Sequence, residues 1–335
     1  YGAELNAYFE KQFRQAQYTV WQQIKKLLDV AMSIEGMPRH ATMHAAGVVI
    51  TDKPVSDYVP LSKNDDNVVT QFTMTALEEL GLLKMDFLGL RNLTVINDAE
   101  KQIKHKNPDY NPDMVDENDK KVFEMFSKGY TEGVFQFESQ GMKNVLTQLK
   151  PERIEDLIAV TALYRPGPMD SIPAYIDCRH NPSHIRYKHP LLKEILGVTS
   201  GCIIYQEQVM QIFRTLAGYS LGRADIVRRA MSKKKLAVME SEREIFIHGL
   251  TDDDGNIIVE GCIRRGVDEK TAISVYDEME SFAHYAFNKS HAAAYATIAY
   301  QTAYLKCHFY KEYMAALMTI TLLDSTDKLY GYIAD

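Results

Sequence analysis

Lys84 and Asp86 stand two residues apart inside the apolar run Leu82-Leu-Lys-Met-Asp-Phe87. In a strand, alternate side chains share a face, so Lys84 and Asp86 point one way and Leu83, Met85 and Phe87 the other. The apolar set is then expected to pack onto helices. A carboxylate beside an amine is what a metal–phosphate site uses, Asp for Mg²⁺ and Lys for a phosphate oxygen. The same pair can equally be an ordinary solvent-exposed salt bridge. A second cluster is Arg223-Ala-Asp-Ile-Val-Arg-Arg-Ala-Met-Ser-Lys-Lys-Lys235, with six basic residues and one acid. On a helix Arg228 and Arg229 are ~100° apart, so both fit one broad polar face, while Ile226, Val227, Ala230 and Met231 form an apolar one. Arginine forks, with Lys233, Lys234 and Lys235 as point charges, suit phosphate. The plainer alternative is a solvated helix end. The third cluster is the turn Asn288, Lys289, Ser290 and His291 before an Ala-rich helix, with Ser290 as the expected N-cap. Helix N-termini hold anions through unpaired N–H groups, and Tyr285 or Phe287 could stack on a base. The alternative is a well-capped structural helix with core aromatics. Tyr295, Tyr300 and Tyr304 read as packing.

The elements that must position these groups follow from periodicity. Residues 4–35 carry Leu5, Phe9, Phe13, Val20, Ile24, Leu27, Leu28 and Ala31 at three- and four-residue steps, which predicts helix. Gly47–Ile50, Tyr58–Leu61, Val68–Phe72 and Leu82–Phe87 are short β-branched or aromatic runs separated by Asp, Asn, Pro and Gly, and read as strands of one small sheet. From Asn92 helical periodicity dominates. The expected class is α+β: a helical lead-in, a compact unit near 38–91, and a large helical domain.

The 335 residues carry 38 Lys+Arg against 45 Asp+Glu, a net charge of −7, which argues against gripping nucleic acid by bulk charge. The basic cluster is a local +5 on this acidic background. No run approaches ~18 apolar residues and no signal-peptide pattern opens the chain, so membrane and secretory classes drop out. Cys178, Cys202, Cys262 and Cys307 form no C-x-x-C pair, which fits a reduced cytoplasmic setting better than a zinc or disulfide framework. Asp252-Asp-Asp-Gly-Asn256 has the wrong spacing for a calcium loop and reads as a hairpin turn. The common glycine-rich nucleotide loops are absent. His40 and His44 lack the glutamate of a zinc protease. The sequence begins at Tyr1 and ends within a helical pattern, as a piece of a longer protein would.

Several stretches together resemble one family, the alpha subunits of bacterial DNA polymerase III, which are C-family replicative polymerases. They are His44-Ala-Ala-Gly-Val-Val-Ile50, Leu83-Lys-Met-Asp-Phe-Leu-Gly-Leu-Arg91, Gly133-Val-Phe-Gln-Phe-Glu-Ser139 and Tyr164-Arg-Pro-Gly-Pro-Met169. Ile204-Tyr-Gln-Glu-Gln-Val-Met210, Gly218-Tyr-Ser-Leu-Gly222, Arg228–Lys235 and Phe287–Tyr295 continue the set in the same order. The resemblance implies that 1–37 is the end of a thumb, 38–91 the rear of a nucleotidyltransferase-like palm with a small mixed sheet, and 92–335 most of the fingers. It implies that Asp86 is the third of three metal-binding aspartates and Lys84 the lysine near the incoming triphosphate. It places Arg228, Arg229, Lys233, Lys234 and Lys235 in the triphosphate-binding region, and Asn288, Lys289, Ser290 and His291 in a nucleotide-proximal turn. Primer–template DNA, deoxynucleoside triphosphates, two Mg²⁺ ions and other replicase subunits are the implied partners. The family's first two aspartates lie in a Pro-Asp-x-Asp motif that is not present here, so these residues alone are expected to be inactive. A non-catalytic nucleic-acid or nucleotide-binding module is the alternative.

Overall fold

The computed structural model describes residues 2–37, 42–64, 66–232, 236–283, 285–322 and 326–334. The chain is α+β and divides into two compact units, Tyr1–Gly89 and Leu90–Asp335.

The first unit opens with α1 (Gly2–Ile34), the helix that the spacing of Leu5 to Ala31 predicts. At ~1.5 Å per residue it is about 50 Å long. Trp21, Ile24, Leu27 and Leu28 along it are exposed. Strands β1 (Gly47–Ile50), β2 (Leu61–Asn64) and β3 (Asn67–Thr70), the short helix α2 (Met74–Glu79) and strand β4 (Leu83–Asp86) follow. The short runs suggest one small mixed sheet. The described residues instead form separate antiparallel ribbons, β1 with β4 and β2 with β3. The Tyr58–Leu61 run is also not a strand over its length. Residues 55–57 form a 3₁₀ turn, and β2 starts at Leu61, after Pro60, which has no N–H for a ladder. Gly81, at φ 75°, ends α2 in the left-handed conformation that a helix C-terminus favours and sends the chain into β4.

The second unit is helical apart from one hairpin. Its elements are α3 (Arg91–Lys106), α4 (Lys120–Ser127), α5 (Gln140–Leu149), α6 (Ile154–Leu163), α7 (Ile172–His180), α8 (Leu192–Leu196), α9 (Gln206–Ala217), α10 (Leu221–Ser232), α11 (Leu236–His248), β5 (Leu250–Thr251), β6 (Ile257–Val259), α12 (Glu269–Ala283), α13 (Lys289–His308), α14 (Tyr310–Leu322) and α15 (Thr326–Ala334). Ala292, Ala296, Ala299 and Ala303 recur at helical spacing along α13 and are fully buried, so α6 can pack closely against it. Tyr300 is buried on the same helix, its hydroxyl donating to Asp116 O at 2.7 Å. Phe126, Phe137, Leu146 and Leu157 complete that core, while Phe213, Phe246 and Tyr276 centre another among α9 to α12. A third joins Val95, Ala99 and Ile103 of α3 to Leu305 and to Tyr313 and Leu317 of α14.

Two polar devices hold the unit. Asp156 is completely buried and accepts hydrogen bonds from Arg179 Nε (2.9 Å), Arg179 Nη2 (3.1 Å), Glu152 N (3.1 Å) and Arg153 Nε (3.3 Å). Between β5 and β6, Asp252 accepts from Asn256 N at 2.7 Å and Asp254 N at 3.1 Å. The acidic run is therefore a hairpin turn, as its spacing predicts.

Candidate active site

In the first unit, β1 and β4 pair with Gly47 opposite Asp86 and Val49 opposite Lys84. Strand alternation brings Lys84 and Asp86 to one face, and Lys84 Nζ lies 2.5 Å from Asp86 Oδ1. His44 Nδ1, which accepts a hydrogen bond from Ala46 N, is 3.9 Å from the same oxygen. The Lys84 hydrogen bond, then its charge, holds the Asp86 carboxyl below its ordinary value. Gly47 leaves room for this arrangement. A Cβ there would lie 2.7 Å from Lys84 Cε, 3.0 Å from His44 Nδ1 and 3.1 Å from Asp86 Oδ1. By sequence Lys84 and Asp86 stand out as a pair, whereas His44 figures only in a failed zinc-protease pattern and Gly47 only within the His44–Ile50 stretch; their signal is their place in the paired strand and the loop before it.

The opposite face of the ribbon differs from expectation. Val48, Ile50, Leu83 and Met85 share it, and all four are exposed, as is Phe87. No described helix of the first unit covers them.

Asp86 offers hard oxygen donors suited to Mg²⁺. Among the described residues, however, no three His, Cys, Asp or Glu side chains gather as a metal cage. Asp86 therefore fits as one ligand of such a centre and not as the whole of it.

In the second unit, α10 carries the arginine cluster. Arg228 and Arg229 do share a polar face, and both meet Asp225: Arg228 through Nε (3.0 Å) and Nη2 (2.7 Å) to Oδ1, Arg229 through Nη2 to Oδ2 (2.7 Å). These hydrogen bonds and charges, Arg228's first, keep the Asp225 carboxyl low. Arg223 pairs with Glu242 at 2.7 Å. The cluster is thus partly neutralised in place. Val227, Ala230 and Met231 form the buried face together with Ala224, but Ile226, expected among them, is exposed. Lys233, Lys234 and Lys235 lie outside the described residues.

The turn before α13 is built differently from its prediction. Asn288, not Ser290, is the N-cap, its Oδ1 accepting from His291 N at 2.8 Å; Ser290 lies inside the first turn. The anion position at this N-terminus is held by the protein itself, because Glu207 Oε2 accepts from Lys289 N at 3.0 Å. The His291 ring sits between Phe287 (5.4 Å) and Tyr295 (4.3 Å). With Gln136, Tyr164 and Arg165 these rings line a cavity of about 270 Å³. The Arg165 guanidinium lies 4.5 Å over Phe287 and donates to Tyr285 O. Tyr285 packs on Gly167, at φ 102°, where a Cβ would strike its ring. Tyr295 packs on His291 and Phe135, as expected, and also lines the cavity. Its signal was the four-residue step from His291, which puts both on one helix face. Gln136, in the left-handed conformation at φ 61°, and Arg165 were not singled out individually.

Two family models match the chain: the bacterial DNA polymerase III alpha NTPase domain over residues 1–89, and the bacterial DNA polymerase III alpha subunit finger domain over 92–254. DNA polymerase III subunit alpha of Borreliella burgdorferi is 48% identical over 313 residues, 93% of this chain and 26% of that protein. The subunit of Thermus aquaticus is 46% identical over 339 residues, 99% of this chain and 26% of its own. That of Bacillus subtilis is 46% identical over 312 residues, 92% and 27% respectively. The chain spans about a quarter of the length of these curated relatives. With both models and this identity along nearly its whole length, the chain belongs to the bacterial DNA polymerase III alpha subunit family.

Proposed function

We propose that this chain supplies part of the palm and most of the fingers of a DNA-directed DNA polymerase, which adds deoxynucleotides to a primer 3′-OH. Residues 1–37 are then the end of the thumb, 38–91 the rear of the palm and 92–335 most of the fingers. The observation that carries the reading is the Lys84–Asp86 pair packed around Gly47 in a chain of this family. Asp86 contributes one carboxylate to a two-ion magnesium centre, and Lys84 meets a triphosphate oxygen. When bound, Mg²⁺ neutralises charge on the transferring phosphoryl group. Arg228 and Arg229, with Lys233, Lys234 and Lys235, hold the triphosphate. Asn288, Lys289, Ser290 and His291 face the nucleotide.

The partners in this reading are primer–template DNA, deoxynucleoside triphosphates and further replicase subunits that bind regions outside these residues, in the bacterial cytoplasm. Among the described residues no helix is long and apolar enough to cross a membrane. Two ions need more ligands than Asp86 alone offers, and among the described residues no further set gathers beside it, so these residues by themselves are expected to be inactive. The same lone carboxylate favours, as a second reading, a non-catalytic nucleic-acid or nucleotide-binding module. Primer extension separates the two. Asp86→Asn in the full-length protein is expected to abolish extension while DNA binding persists, and undiminished extension overturns the assignment.

A further inference from the structure

Residues 204–207 grip the turn that opens α13. Phe287 N donates to Ile204 O at 3.1 Å and Gln206 N to Phe287 O at 2.9 Å, making a parallel bridge between Tyr205 and Phe287. Gln206 Nε2 donates to Ala286 O at 3.1 Å. Beyond the bridge, the Glu207 carboxylate accepts from Lys289 N at 3.0 and 3.1 Å and from Asn288 Nδ2 at 3.2 Å. Four consecutive residues of the turn are tied to a segment some eighty positions earlier.

The gripping side is itself fixed. Buried Gln208 accepts at Oε1 from Ile204 N (2.8 Å) and Tyr205 N (2.9 Å), and donates from Nε2 to Thr199 Oγ1 (2.8 Å) and Ile195 O (3.2 Å). Half-buried Glu207 lies in the first turn of α9 and against the first turn of α13. Each helix start exposes unpaired N–H groups and carries partial positive charge, so one carboxylate answers two helix ends. Asn288 passes the constraint on, since the amide held by Glu207 also caps His291 N.

We propose that Glu207 is a positioning residue for nucleotide binding: its carboxylate fixes Asn288 and Lys289, and through them sets His291 at the aromatic cavity. The inference rests on the reading of this turn as nucleotide-facing. Because Glu207 occupies the anion position of α13, the triphosphate is held elsewhere and this N-terminus supplies geometry.

The test is single-nucleotide incorporation by the full-length polymerase, with amide exchange on the same variants. Glu207→Ala is expected to raise KM for the deoxynucleotide about tenfold with kcat within about threefold. Glu207→Gln keeps an acceptor oxygen and is expected to restore most of the loss. The Lys289 amide loses protection in Glu207→Ala while the amides of α9 keep theirs. Unchanged KM in Glu207→Ala, or protection lost throughout α9 with kcat and kcat/KM falling together, overturns the proposal. His291→Ala separates the two ideas. No effect on KM overturns the nucleotide-facing reading itself. A raised KM there beside an unaffected Glu207→Ala overturns the positioning role alone.

Discussion

Gly47 lies opposite Asp86 in the β1–β4 ribbon, and a methyl group on it would reach within 3.1 Å of Asp86 Oδ1 and 2.7 Å of Lys84 Cε. A side chain at this position would therefore press directly on the ion pair. Gly47→Ala is expected to displace Lys84 and slow nucleotide incorporation by the full-length polymerase about tenfold or more, since small misplacement of a reacting group carries such penalties. Single-turnover kinetics at saturating nucleotide measures this, and a wild-type rate contradicts it.

Lys84 is the main reason the Asp86 carboxyl is held low. Lys84→Met is expected to move its titration up toward the ordinary value of about 4. The sign follows from linkage: a depressed carboxyl favours the folded state above the unfolded pKa, and that contribution fades as pH falls through the folded one. Carboxyl ¹³C chemical shifts against pH report the change. A titration that stays put in Lys84→Met assigns the depression to another group.

Asp225 accepts from both Arg228 and Arg229 and so competes with any phosphate for them. Asp225→Asn keeps the shape and removes the charge. If the arginines hold the triphosphate, this change is expected to tighten deoxynucleotide binding a few-fold at low salt, with the gain shrinking as ionic strength screens it, on a Debye length of about 10 Å at 0.1 M. Titration calorimetry at two salt concentrations is the measurement, and weaker binding would mean that Asp225 orients the pair.

Asp156 is a stability prediction independent of function. Burial pushes its carboxyl up, but the Arg179 hydrogen bonds, the Glu152 N–H and the nearby arginine charges outweigh that and leave it low. Asp156→Ala leaves Arg179 without its buried partner and is expected to cost about 3–5 kcal/mol, the usual penalty for breaking such a pair. Denaturant unfolding checks it. The wild-type contribution should be intact above about pH 4 and fade as pH falls through the lower folded value.

Local patterns were legible where a single element decides the outcome. Strand alternation put Lys84 and Asp86 on one face, and helical spacing put Arg228 beside Arg229. The spacing of Ala292, Ala296, Ala299 and Ala303 likewise matches the buried side of α13. What stayed hidden depends on partners far along the chain or on a choice between equals. Asn288 and Ser290 are both good caps, and the helix starts after Asn288, at a turn held by Glu207 and the Tyr205–Phe287 bridge. Glu207 meets Lys289 from 82 positions away, which no periodicity encodes. The apolar side of β4 alternates as a buried strand does, yet pairing with β1 alone leaves it open to solvent among the described residues.

Helix α13 begins at the aromatic cavity and reaches, about 24 Å away at ~1.5 Å per residue, the α3–α14 core through Leu305. Its middle packs against α6 through small, fully buried side chains that let the two backbones approach closely. The turn held by Glu207 and the core shared with α3 and α14 are thus two ends of one uninterrupted helix, so the residues that shape the aromatic cavity and those that pack the far core stand on a common axis.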